Sequence, residues 1–165
     1  MGRIIVWLVM LIGGAALGLL FDHLIAEKVF IGTGFHYISF IMGCLLLFLI
    51  IKISKNTGKT LAKYGRKGNL KRMETNILVK QGAYQYMRHP MHLGLLFFPF
   101  AFACLLRSPS FIFLIAPAEV VFMLLMIKFR EEPEAIRKFG KEYIEYKNQL
   151  PWFCFKPICL KELLK

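Results

Sequence analysis

The run Arg88-His89-Pro90-Met91, inside GAYQYMRHPMHLG from Gly82 to Gly94, holds the residues of this chain best suited to chemistry. Pro90 stands where an apolar helix begins, and its missing N–H costs nothing at the first helical position. The next N–H groups, of Met91 and His92, then lack acceptors within the helix. Their partial positive charge suits an anion such as a carboxylate. A second cluster, Arg130-Glu131-Glu132, follows the next apolar stretch and returns to the same boundary. Together the clusters complement an amino-acid zwitterion, with N–H groups for the carboxylate and Glu131 for the ammonium or a ribose hydroxyl. On spacing alone, a plain Pro-started helix flanked by solvated charges is the competing reading.

Positioning these residues falls to four apolar stretches, Ile4–Phe21, Tyr37–Ile53, Met91–Leu106 and Ser110–Phe129. Each is long enough, or nearly so, to cross a bilayer. The composition agrees: 57% of residues are hydrophobic and mean hydropathy is +0.55, well above soluble proteins. The first stretch is long for a signal peptide and precedes three more spans, so it reads as a retained helix. Only Arg107–Pro109 separates the last two stretches, which predicts a tight antiparallel hairpin bringing His89-Pro90 close to Glu131. Pro99 and Pro117 predict kinks within it. The expected fold is all-α: one domain over 1–165, a four-helix membrane bundle with an amphipathic C-terminal cap.

A net charge of +12 invites a nucleic-acid reading, but its distribution excludes one. Of the 22 Lys and Arg residues only Lys28 and Arg107 lie in the two connections opposite the rest. The positive-inside bias therefore puts both termini in the cytoplasm, where the basic excess meets an anionic membrane surface. Cys44 and Cys104 fall within spans. Cys154 and Cys159 lie in the tail, where cytoplasmic thiols stay reduced, so all four read as packing or surface residues. His89 and His92 have no third ligand in view, so no metal site is expected.

Ser54–Met87 reads as a polar connection, its basic first half on the surface and its second half, Glu74–Tyr86, folded back on the bundle. After Arg130 the pattern is an amphipathic helix with Ile136, Phe139, Tyr143 and Tyr146 on one face. Gly140 marks a bend, and Pro151 ends it. PWFCFKPICL beyond it reads as an interfacial segment.

The strings G-x-Y-x-x-x-R-H-P, at Gly82, Tyr84, Arg88, His89 and Pro90, and E-E-x-x-x-x-x-x-F-G-x-E-Y-x-x-Y, from Glu131 to Tyr146, carry a resemblance. They resemble the membrane methyltransferases related to isoprenylcysteine carboxyl methyltransferase. The phosphatidylethanolamine N-methyltransferases share a looser version. The resemblance implies S-adenosylmethionine bound in a cytoplasmic region built from 74–92 and 130–152. It implies cofactor contacts at a strand-like Asn76-Ile77-Leu78-Val79, at Tyr84, at His89-Pro90-Met91-His92, and at Glu131 and Glu132. The chain departs from that pattern in two places: His92 stands where the family usually has tyrosine, and Ile127 where the prenylcysteine enzymes have arginine.

The expected activity is methyl transfer to a lipid-embedded acceptor, first a phospholipid amine headgroup, then a prenylcysteine carboxylate or hydrophobic thiol. Glu119, deep in the fourth stretch, is the candidate base, with a structural carboxyl as its rival reading. Arg88 and Arg130 are the candidate acceptor contacts. Two other classes compete: an NADPH-dependent membrane reductase with a related R-H-P turn, and a small proton-coupled transporter using Glu119.

Overall fold

The computed structural model describes residues 2–25, 32–68 and 75–165. Lys28 and Glu74, named above, lie outside them. The described residues are helical without strands: α1 (Gly2–Ile25), α2 (Thr33–Tyr64), a 3₁₀ turn (Gly82–Gln85), α3 (Pro90–Leu96), α4 (Phe98–Leu106), α5 (Ala116–Met126), α6 (Glu132–Phe139), α7 (Lys141–Gln149) and α8 (Pro157–Leu164). Two π-helical segments, Phe111–Ile115 and Ile127–Glu131, flank α5. Three helical stretches are long and apolar enough to cross a membrane: Ile5–Leu24, Thr33–Tyr64 and Phe111–Phe139. The third expected span is a shorter apolar stretch, Pro90–Leu106. It breaks at Phe97 because Pro99 cannot donate a bond back to Leu95.

The chain divides into two compact units, 1–48 with 96–124 and 49–95 with 125–165. In the first, α1 lies close against the helix that follows the 107–109 turn. A methyl group at Gly14 would collide with the Glu119 carboxylate, and one at Gly18 would stand 2.7 Å from Phe111 Cβ. Ala103, Phe111 and Ala116 form the core. The expected hairpin turn is present: Arg107 takes φ 58°, and its N–H reaches Cys104 O at 3.1 Å. Asp22 Oδ1 accepts from Ser110 N at 2.9 Å and Ser108 Oγ from Phe111 N at 3.1 Å, satisfying N–H groups at the helix start. Large apolar side chains such as Val9, Ile12, Phe48 and Phe113 are exposed, as the lipid-facing side of spanning helices requires.

In the second unit α2 continues as helix to Tyr64, which corrects the reading of Ser54 onward as a connection. Thr57 and Thr60 hydroxyls donate to the carbonyls of Ile53 and Asn56, at 2.8 and 3.1 Å, so these polar residues bond within the helix. Asn76 does not begin a strand. Its side chain exchanges two 2.9 Å bonds with the Lys67 backbone, and Ile77–Val79 run on without ladder partners. A core of Ala83, Met87, Leu93, Cys159 and Leu163 joins the 3₁₀ turn, α3 and α8. Gly140, with φ 58°, separates α6 from α7 as the pattern predicts. The tail differs from expectation: Cys154 and Cys159 form a disulfide with Cα atoms 5.9 Å apart. Cys159 and Leu163 are 1% exposed, so α8 is seated in the core as well as showing Ile158 and Leu160 outward. Asn56 Nδ2 donates to the Glu162 and Leu163 carbonyls, holding the end of α8 to α2.

Candidate functional site

Within the second unit an open cleft of about 140 Å³ is lined by Leu61, Thr75, Ile77, Leu78, Val79, Tyr84, Arg88, His89, Glu131, Ala135, Phe139, Tyr143 and Tyr146. The residues come from four places: the end of α2, the 75–79 approach, the turn before α3, and α6 with α7. Pro90 takes the first position of α3, and Leu93 N bonds His89 O at 3.0 Å. The two N–H groups just ahead of Pro90 are held from the other side: Arg88 N donates to Pro151 O at 3.0 Å and His89 N to Trp152 O at 3.1 Å.

One buried carboxylate organises the polar side of the cleft. Glu132, 3% exposed, pairs through Oε1 with Arg88 and with His89 Nε2 at 3.2 Å, and through Oε2 with Lys147 Nζ at 2.8 Å. Tyr143 Oη donates to the same Oε1 at 3.3 Å. The Arg88 side chain is 8% exposed, and its Nε is buried without a hydrogen-bond partner. Tyr146 Oη lies 2.5 Å from Tyr84 O and 3.2 Å from Met87 O, tying α7 to the 3₁₀ turn. Burial, then the nearby Glu132 charge, pushes the Tyr143 phenol up to about 12. Burial likewise raises Tyr84 and Tyr146 well above the ordinary phenol range. All three stay protonated donors at physiological pH.

Of the expected site residues, Ile77, Leu78, Val79, Tyr84, Arg88, His89 and Glu131 line this cleft. Asn76 does not, because its amide is engaged with Lys67. Pro90, Met91 and His92 are not lining residues either; the His92 ring stands edge-on to His89 at 5.4 Å. Glu132 lies behind the lining as the partner of Arg88 and His89. Arg130 is exposed and lines nothing here. Glu119 sits in the first unit, 6% exposed, with neither carboxylate oxygen hydrogen-bonded. Sequence reasoning missed Leu61, Thr75, Ala135 and Phe139 as lining residues, and Lys147 and Trp152 as supports. Lys147, four residues beyond Tyr143, carried a usable signal, since it falls on the same helical face.

The model of the phospholipid methyltransferase family matches residues 35–142. Protein-S-isoprenylcysteine O-methyltransferase of Saccharomyces cerevisiae is 34% identical over 86 residues, which is 48% of this chain and 33% of that protein. Protein-S-isoprenylcysteine O-methyltransferase B of Arabidopsis thaliana is 34% identical over 83 residues, 50% of this chain and 41% of that protein. The chain thus spans well under half the length of both curated relatives. No solved structure matches it.

Proposed function

The chain belongs to the phospholipid methyltransferase family, and on that premise we propose that it transfers a methyl group from S-adenosylmethionine to a lipid-embedded acceptor. The observation that carries the reading is the convergence of both sequence clusters on one cleft, with Arg88, His89, Glu131 and three tyrosines in its lining. The buried Arg88 Nε is an orphan donor, which fits an anionic oxygen. Glu131 fits an ammonium or ribose hydroxyl, and Ile77, Leu78 and Phe139 fit a flat apolar ring. The cofactor supplies a methyl group made electrophilic by its sulfonium.

What the chain supplies is alignment and exclusion of water. Glu132 fixes the Arg88 and His89 side chains, and protonated Tyr143 and Tyr146 lock α7 over the cleft. Glu119, outside the lining, is better read as a structural carboxyl than as the base. The favoured acceptor is a phospholipid amine headgroup. Ile127, where the prenylcysteine enzymes carry an arginine, is 1% exposed and offers no cation to a substrate carboxylate. Carboxyl methylation of a prenylcysteine is the second reading, favoured by the names of both relatives. Four spans with both termini in the cytoplasm complete the proposal. Labelling of a cysteine at Arg107 but not at Lys67 from outside intact cells is the expected result, and the reverse overturns that orientation.

The deciding experiment incubates purified protein with methyl-labelled S-adenosylmethionine, phosphatidylethanolamine vesicles and a prenylcysteine analogue. Label in the amine lipid supports the first reading; base-labile label in the analogue supports the second. Thermal stabilisation by NADPH, with none by S-adenosylhomocysteine, defeats both.

A further inference from the structure

The segment after α7 is held too firmly to be a loose tail. Leu150 N bonds Tyr146 O at 3.2 Å, and the next two carbonyls, of Pro151 and Trp152, take the N–H groups of Arg88 and His89. The Trp152 ring stands edge-on to the His89 ring at 6.4 Å, and the Arg88 guanidinium lies over it at 5.9 Å. Beyond it the Cys154–Cys159 disulfide closes a short loop onto α8. The buried Cys159 and Leu163 and the two Asn56 bonds anchor α8 to the rest of the unit. Trp152 itself does not line the cleft.

We propose that residues 151–165 form an anchored strap and that Trp152 is a positioning residue, holding Arg88 and His89 in the orientation that the cleft's ligand requires. The backbone bonds fix where the turn sits, and the indole fixes how its two cationic-capable side chains point. Glu132 grips both from the other side, so each is held between a carboxylate and an aromatic ring. A cation over an indole is attracted by the ring's negative face, which limits the rotamers open to Arg88. An edge-on indole likewise restricts the His89 ring.

The inference rests on the methyltransferase reading only for the identity of the ligand, so two independent measurements test it. Trp7 and Trp152 are the two tryptophans of the chain, and Trp7→Phe makes Trp152 the sole emitter in full-length protein in detergent. The His89 ring covers one edge of the Trp152 indole, so acrylamide should quench the Trp152 emission less in this background than after the further change His89→Ala. Equal quenching with and without His89→Ala overturns the placement without any cofactor.

The second measurement is S-adenosylhomocysteine affinity. Trp152→Leu should weaken it about 5- to 30-fold, the scale of a partly desolvated cation–aromatic contact, and Trp152→Phe should restore most of it by returning a ring. Equal affinity in wild type and Trp152→Leu overturns the positioning role. Where Trp152→Leu does not fold, Trp152→Phe decides: affinity near wild type supports the role, and a loss as large as that expected for leucine overturns it. If wild type binds no S-adenosylhomocysteine, the function proposed above fails, and the acrylamide quenching still decides whether Trp152 packs on His89.

Discussion

Two buried glutamates, one in each unit, show how differently this chain treats the same side chain. Glu119 is 6% exposed among apolar neighbours, with α1 pressed against it at Gly14 and neither oxygen hydrogen-bonded. Glu132 is 3% exposed and meets Arg88, His89, Lys147 and Tyr143. Burial alone therefore does not mark a working carboxylate; the partners do. The first unit is built for contact with lipid and closes on small residues. The second gathers its charges inward around a cleft.

The comparison breaks most visibly at Glu132. Removing one member of a buried ion pair typically costs about 3–5 kcal/mol, because the other charges stay buried. Glu132→Gln should lower the thermal unfolding temperature in detergent sharply and abolish S-adenosylhomocysteine binding. An unfolding temperature equal to wild type would show that Arg88 and His89 do not depend on it.

Glu131→Gln should act on binding and not on the fold. Losing a shielded charge-assisted bond costs about 1.5–3 kcal/mol, or roughly a 10- to 150-fold loss of S-adenosylhomocysteine affinity. Glu134→Gln, exposed on α6, is the matched control, with affinity expected within about twofold of wild type. Equal losses in both would mean that the acidic run acts through general charge and not through the cleft.

Alkaline titration tests the tyrosine wall. The unfolded chain gives up its Tyr143 proton near the ordinary value of 10, whereas the folded chain keeps it to about 12. The folded state then binds more protons, so stability should fall as pH rises across that window. Thermal unfolding from pH 9 to 12 should show the decline, and Tyr143→Phe should make it shallower, with Tyr84 and Tyr146 supplying the rest.

The smallest effect belongs to Glu119. Replacing a buried polar group that has no partner by an apolar one of similar size removes a desolvation cost. Glu119→Leu should leave the unfolding temperature unchanged or slightly higher and leave S-adenosylhomocysteine affinity intact. A loss of several degrees would reveal a partner for Glu119 and erase its contrast with Glu132.

The sequence carried the site's outline better than its wiring. Arg88, His89 and Glu131 were legible because motif spacing and a short hairpin turn bring both clusters together, and Gly140 because glycine there interrupts an apolar face. The extension of α2 to Tyr64 was hidden by a run of lysines, threonines and glycine that resembles a loop, although its hydroxyls bond within the helix. Glu132 was seen only as a neighbour of Glu131, since spacing does not reveal that two cations, an imidazole and a phenol converge on it. Trp152 was lost in an aromatic tail that composition assigns to the membrane interface. Its role depends on backbone bonds across some sixty residues, which no local pattern encodes.

The π-helical segment Ile127–Glu131 leaves a mark on how this chain tolerates changes in length. Such a segment is an α-helix carrying one surplus residue in a turn. Excising a single residue there would let the turn relax to ordinary geometry with Glu132 nearly in phase, whereas adding a further residue would swing Glu132 by about 100° around the helix axis relative to Ile127. Arg88, His89 and Lys147 would then face a different side chain with no residue of the cluster mutated. In contrast, an insertion or deletion at the exposed Gly140, between two short helices, has a hinge to absorb it. Among natural variants, insertions should therefore gather around 140 and be purged from 127–131, where a single deletion is tolerated, a pattern of indels set by helical phase and not by the chemistry of any one side chain.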